Sequence, residues 1–281
     1  MAICAHRLPV GILAAVLTWA GGAPLGAADG QLEALLDRAS AYEIAFVGAF
    51  QNIVAEEVLV QQTSAPHRQR TLKSDFLFVN YPGIKGSIVL RDVFEVDGKP
   101  VRDAAQAERM MKLFTSPVRN AVARAAELAN EGARYNLWDI GTLNNPLIAM
   151  AFLQPDYRTR FRFNLAGMEK SLGPTVRTVR FQEWQLPTIL RAGANNDLLA
   201  RGLIWVDETN GRVVKTRLQV GSARIPPEIV TTFRRDADLG IDVPAEMRDW
   251  YPDDRLGDVK GVATYGRFRR FEVRTEESLD K

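Results

Sequence analysis

The chain has 281 residues but only one Cys and two His, and it shows no bias in charge: 36 Lys plus Arg stand against 34 Asp plus Glu. Its apolar runs fall short of the roughly 20 residues that a membrane-spanning helix needs. These scarcities exclude a strongly basic nucleic-acid binder, a multi-span membrane protein and a disordered acidic or basic tail. What is present is a 46% hydrophobic composition with 25% charged residues, that of a folded globular chain.

The first 28 residues carry one formal charge, at Arg7. A nearly continuous apolar segment runs from Leu8 to Ala20, and small residues follow at Gly26, Ala27 and Ala28. Charged, apolar and small-residue regions in that order are those of a secretory signal peptide, so residues 1–28 are expected to be removed by cleavage near Ala28. Cys4 precedes the apolar run and leaves with it. The 253 residues from Asp29 to Lys281 then hold no Cys and one His, His67. Without disulfides the exported chain must be held by its core, which its length allows. The periplasm is the expected location, with the cell exterior as the alternative.

Leu32, Leu35, Leu36, Ala39, Phe46, Ala49, Phe50 and Ile53 recur at three- and four-residue spacing and predict an amphipathic helix from about Gln31, with Asp29 as its cap. The period shifts toward two from Val54 to Gln62, and a loop is expected at Ser64–Arg70. Strands are expected over Thr71–Val96, with a turn at Pro82 and Gly83. A helical insert around 103–153 follows. Asp103 and Gln106 have capping-box spacing, Ser116 and Pro117 mark a second helix that Gly132 stops, and a third begins after Asn145 and Pro146.

Beyond Tyr157 the pattern is strand. Tyr157, Thr159, Phe161, Phe163 and Leu165 alternate with polar residues, and Thr175–Trp184 is a second strand, with a loop at Pro187–Asn196. Asn210-Gly211 predicts a hairpin between Leu203–Asp207 and Val213–Val220. Further strands are expected near 228–235, 243–251 and 260–274, the last with a bend near Arg269 where its apolar phase reverses. With no repeat or linker, residues 29–281 read as one α+β domain: a strongly curved antiparallel sheet of about 8–11 strands with helices on one side.

Several phrases resemble a known group. The opening helix running into Val54-Ala55-Glu56-Glu57, the Gly202–Asp207 strand with Asn210-Gly211 after it, and Val243–Arg248 leading to Ala263–Phe271 are similar to uncharacterised exported bacterial proteins related to LolA, LolB and RseB. That resemblance implies an open half-barrel whose concave apolar side is plugged by helices. It also implies a protein that binds acyl chains of lipoproteins or acts as an envelope sensor. It supplies no catalytic residue.

The residues offer little catalytic machinery. A Ser-His-acid triad would have to use His67, which lies in a polar loop, and there is no glycine-rich nucleophile elbow or phosphate loop. One His without Cys cannot build a usual zinc site. Paired carboxylates remain, with Glu56, Glu57, Glu183 and Glu246 beside apolar strand residues; the alternative is that each is solvated or paired with a nearby Arg. The Arg158, Arg160, Arg162, Arg177 and Arg180 stripe reads either as an anion-binding surface or as the wet face of two strands.

The aromatics are the remaining lead. Phe76, Phe78, Phe161, Phe163, Phe181, Trp184, Trp205, Phe233 and Met247 are the candidate ligand-binding residues, lining a hydrophobic groove; the competing reading makes them core. The expected function is that of a non-enzymatic exported binding protein for a lipid, acyl chain or lipoprotein, with no cofactor, metal or nucleic-acid partner. An envelope sensor or protein-interaction module of the same fold is the alternative, and a carboxylate-dependent hydrolase the weakest reading.

Overall fold

The computed structural model describes residues 25–50, 53–80, 87–115, 127, 130–137, 143, 145–191, 196–253 and 257–270. Helix α1 (Leu25–Phe50) leads into strands β1 (Ile53–Ser64), β2 (His67–Asn80), β3 (Ser87–Val96) and β4 (Lys99–Pro100). Helices α2 (Ala104–Thr115), α3 (Ile148–Ala151) and α4 (Pro155–Arg158) follow, and residues 130–133, between α2 and α3, are helical as well. Strands β5 (Phe161–Met168), β6 (Val176–Glu183), β7 (Leu190–Arg191), β8 (Asp197–Leu198) and β9 (Ala200–Asp207) come next. The chain continues through β10 (Val213–Val220), β11 (Glu228–Asp236), β12 (Ile241–Asp253) and β13 (Gly257–Arg270).

Eleven of these strands form one antiparallel sheet in the order β4-β3-β2-β1-β13-β12-β11-β10-β9-β6-β5, while β7 and β8 pair separately. The sheet is curved and unclosed, with helices on its concave side, which is the α+β half-barrel expected from the sequence. In its interior β1 pairs with β13, from Ile53 opposite Arg270 to Thr63 opposite Val259.

Alternation decides which side chains fill the concave face. On β1 the inward residues are Ile53, Ala55 and Leu59, on β2 Leu72, Phe76 and Phe78, and on β9 Ile204 and Val206. The helix α1 presents Leu35, Leu36, Ala39, Phe46 and Phe50 to them. Phe50 is fully buried, stacked on Phe46 at 5.1 Å and edge-on to Phe78 at 5.5 Å. The hairpin at Asn210-Gly211 forms as expected, and Gly211 meets two demands: its φ is +77°, and a Cβ there would collide with the Arg38 carbonyl of α1.

Several local expectations shift. α1 starts at Leu25, so Asp29 lies inside the helix rather than at its cap. The expected loop at Ser64–Arg70 shrinks to Ala65-Pro66, because β1 and β2 pair as far as Ser64 opposite His67 and the Thr63 hydroxyl closes the turn by donating to the Pro66 carbonyl at 2.6 Å. His67 is therefore a strand residue. Tyr157–Arg160 is not strand: Pro155 sits in the first turn of α4 and Asp156 suits the helix N-terminus, so β5 begins only at Phe161.

The expected capping box is half formed. Asp103 accepts from the Gln106 backbone N–H at 2.7 Å, but the Gln106 side chain turns away to Asp92 and the Val93 carbonyl. Gly132 lies within its helix rather than after it, where a Cβ would press on the Arg91 carbonyl at 2.6 Å. The bend in β13 comes at Arg267, with φ +48°, two residues before the expected place. There the β1–β13 register slips between Val54 and Glu56. The Pro82-Gly83 turn, the Ser116-Pro117 helix start and the stretch after Arg270 lie outside the described residues.

Phe50→Ala removes a side chain packed on three rings and is expected to cost about 3–5 kcal/mol of stability, read from the urea midpoint. A change within about 0.5 kcal/mol would mean that α1 does not hold the concave core.

Candidate functional site

Where α1 crosses toward α3 and α4, the concave face is not completely filled. A cavity of about 260 Å³ remains there. Phe46 and Val47 of α1, Phe78 of β2, Leu147, Ile148, Met150, Ala151 and Phe152 around α3, and Ile189 and Leu190 at β7 form its apolar wall. The polar groups of the wall are Glu43, Asn145, Gln154 and Tyr157.

Glu43 is the unusual member. It is 1% exposed, its Oε1 accepts a hydrogen bond from Gln154 Nε2 at 2.8 Å, and its Oε2 has no hydrogen-bond partner. Burial pushes its carboxyl up to about 7, and the Gln154 hydrogen bond only partly opposes this. Asn145 is occupied by its own turn, accepting from the Leu147 backbone N–H at 2.9 Å. Two further clefts, of about 440 and 450 Å³, involve the first turns of α1. Both include charged side chains, Arg38, Arg177 and Glu208 in one and Glu33 and Arg158 in the other.

Seven of the nine residues singled out from the sequence belong to the concave side. Phe76, Phe78, Phe161, Phe181, Phe233 and Met247 are in the core, and Phe163 packs against it. They fall into groups rather than one line. Phe161 and Phe181 meet Phe152 at 4.6 and 5.6 Å. Phe76 meets Tyr265 at 5.2 Å, and Phe233 meets Phe46 at 6.3 Å. Only Phe78 reaches the 260 Å³ cavity, whereas Phe161 and Phe163 line the 450 Å³ cleft. Trp205 sits between Ile204 and Val206 on β9 and so faces the other side of the sheet, under Lys215 at 4.9 Å. Trp184 is half exposed, with the Arg162 guanidinium 5.5 Å from its ring.

The four carboxylates each have an Arg nearby. Glu57 is fully buried on the concave face in a bidentate pair with Arg91, which is closed at 2.8 Å through Nη2, and accepts from the Ser74 hydroxyl at 3.0 Å. Burial, the largest single influence, pulls the Arg91 guanidinium down, but the charge and hydrogen bond of Glu57, with Tyr265 and Asp249 adding to them, together raise it, so Arg91 stays protonated. Tyr265 lies fully buried beside the pair and is pushed well up, by burial first and then by the Glu57 charge. Asp249 of β12, next to this cluster, keeps Oδ2 without a partner, and burial raises it to about 6.

Glu183 accepts the backbone N–H groups of Ile189 at 2.8 Å and Ala200 at 3.2 Å, fastening the β7–β8 excursion to the main sheet, with Arg160 at 3.7 Å. Glu56 and Glu246 are paired at the surface with Arg267 and Arg248. In the arginine stripe, Arg158 binds Glu33 and Asp37 of α1, Arg177 binds Glu208 at 2.8 Å, and Arg160 reaches the Pro187 carbonyl. Among the described residues, no three His, Cys, Asp or Glu side chains stand close enough to hold a metal ion.

Sequence reasoning did not single out Glu43, Gln154 or the Phe46, Met150 and Phe152 lining. One signal was present: Glu43 stands four residues after Ala39 and three before Phe46, a carboxylate inside the apolar stripe of α1.

These features define an open antiparallel half-barrel, plugged by a helix, with a residual apolar cavity under the plug. Solved structures similar to this chain, at low identity, were found. A putative outer membrane lipoprotein-sorting protein domain from Vibrio parahaemolyticus is 12% identical over 89% of this chain and 95% of its own, with a TM-score of 0.42. A DUF1329 family protein from Desulfovibrio piger is 14% identical over 85% and 93%, with a TM-score of 0.40. A LolA superfamily protein from Nitrosomonas europaea is 9% identical over 88% and 98%, with a TM-score of 0.35. The fold of this chain rests on the strand order and register above. No family model matches the chain, and no curated protein matches it.

Two outcomes follow from the buried acids. Glu43 binds its proton more tightly folded than unfolded, so between pH about 4.5 and 7 the folded state holds the extra proton and stability falls as pH rises, by about 3 kcal/mol in all. Glu43→Gln should flatten that part of the stability-versus-pH curve in urea titrations and leave the share due to Asp249; an unchanged slope would contradict the burial of Glu43. Glu57→Gln strands the buried Arg91 charge and should cost about 3–5 kcal/mol, with Glu57→Gln/Arg91→Met recovering part of the loss. A single variant as stable as the parent would show the pair to be solvated.

Proposed function

We propose that the protein is a non-enzymatic, exported binding protein that holds an aliphatic chain in the cavity beneath α1. The observation that carries this is the cavity itself: ten apolar residues line it, and the charged groups among its lining residues reduce to one carboxylate. Ligand sites of this type are concave and mostly apolar, with a few placed polar groups. At about 260 Å³ it lies below the roughly 300–1,000 Å³ usual for drug-sized ligands and suits one chain, not several.

Export rests on the signal-like first 28 residues, and the periplasm is the compartment we assign to the mature chain of residues 29–281. No helix among the described residues is long and apolar enough to cross a membrane, so attachment through such a helix is no part of this reading. The helix α1 serves both as core and as cover, and its first turns, flanked by the two larger clefts, are the part that would shift to admit a longer chain.

The mature protein, purified from its own envelope and examined by native mass spectrometry and solvent extraction, should carry about one equivalent of a single-chain apolar ligand. Ala151→Trp, which fills the cavity from α3, should lower uptake of a fluorescent fatty-acyl probe at least tenfold while the far-ultraviolet spectrum stays that of the parent. A parent protein that neither carries nor takes up such a ligand would remove the proposal.

A further inference from the structure

The cavity is apolar in its walls but one-sided in its polar chemistry. Glu43 offers an acceptor, Oε2, that is buried and unpartnered, although Gln154 already donates to its other oxygen. A buried acceptor left without a donor costs free energy until something supplies one.

Among the described residues no cation is placed to receive an anionic ligand there. Among the described residues the lining includes no Lys or Arg, and its titratable members are Glu43 and Tyr157. The nearest arginine in sequence on α4, Arg158, is held by Glu33 and Asp37 one to three turns back along α1. From β2 and β7 the facing groups are Phe78 and Leu190, with Ile189 just before β7, and none of these titrates. Tyr42, the neighbour of Glu43 on α1, is bonded to Asp242 at 2.8 Å.

We infer that the cavity selects a single-chain amphiphile with a cationic, hydrogen-bond-donating end, of the aliphatic amine class, whose ammonium group pairs with Glu43 Oε2. This rests on the reading that the cavity holds an aliphatic chain, and it adds what the polar end must be. A carboxylate or phosphate end would bring a second negative charge to a site without a cation, and would be disfavoured wherever Glu43 is ionised. A hydroxyl end can donate one neutral hydrogen bond and falls between the two. Because burial holds Glu43 near 7, its ionised fraction rises about tenfold from pH 6 to pH 8, while an alkyl ammonium, with a pKa close to that of Lys at about 10.4, stays charged throughout.

The test is calorimetric titration of the full chain with decylamine, decanol and decanoate, each below its micelle concentration, at pH 6 and pH 8, with the parent and Glu43→Gln. Decylamine should bind most tightly at pH 8 and about tenfold more weakly at pH 6, whereas decanoate should weaken as pH rises. Glu43→Gln should abolish the pH dependence for decylamine and leave decanol within about twofold. Decanoate binding as tightly as decylamine at pH 8, or a decylamine pH dependence that survives in Glu43→Gln, overturns the inference and leaves the cavity reading standing. Failure of all three compounds to bind the parent overturns both. If Glu43→Gln does not fold, the order of the three compounds on the parent at the two pH values decides the matter alone.

Discussion

An antiparallel sheet of eleven strands that curves without closing has an apolar hollow that water would otherwise fill, and covering that hollow is the constraint on which the rest of this molecule depends. α1 covers it from Leu35 to Phe50, and the segment around α3 covers what α1 does not reach. The two covers come from distant parts of the chain and meet at a seam that their side chains do not completely fill. The cavity is the remainder of that fit. It therefore owes its position to the fold, and its character to the few side chains at the seam: aromatic and aliphatic on most sides, with one acid on α1.

The hollow also contains polar matter that is fully matched. Glu57, Ser74 and Arg91 form a closed set of hydrogen bonds under the segment containing Gly132, with Tyr265 beside them. Gln61 nearby donates to Asn136 at 3.5 Å and accepts the Leu137 backbone N–H at 2.8 Å, tying the same segment to β1. Apolar contact alone would let a helical insert slide across a curved sheet, whereas directional bonds of this kind give it one seating. Glu43 differs from Glu57 in this respect. Both are buried carboxylates on the concave side, but one has its guanidinium and the other has only an amide on one oxygen.

Much of this architecture was legible in the sequence, because strands that are half buried announce themselves by alternation. β6, β9, β10 and the hairpin at Asn210-Gly211 emerge where the period-two pattern and the turn residues placed them. The same pattern misled at Tyr157 and Thr159, whose alternation continues that of β5 although Pro155 has already started a helical turn. Alternation also cannot say which face of a sheet is hollow, so Trp205 and Phe181 looked equivalent although they lie on opposite sides. The site was the least legible part, since the cavity is made by Phe46, Phe78, Met150 and Leu190, which are remote in the chain. A lone acid in an apolar helical stripe was the one local mark of it.

The order of the sheet has a consequence for how the molecule is made. β1 and β13 are the first and last strands of the described chain, yet they pair in its interior. During synthesis β1 can form its hairpin with β2 at once, but its other edge stays bare until about two hundred more residues have followed. Loop closure over such a distance is slow, so the two halves of the hollow cannot be joined before the chain is nearly complete. A polypeptide of this design remains threadable for most of its synthesis, and losing its last strand would split the sheet into a four-stranded and a six-stranded piece rather than trim an edge.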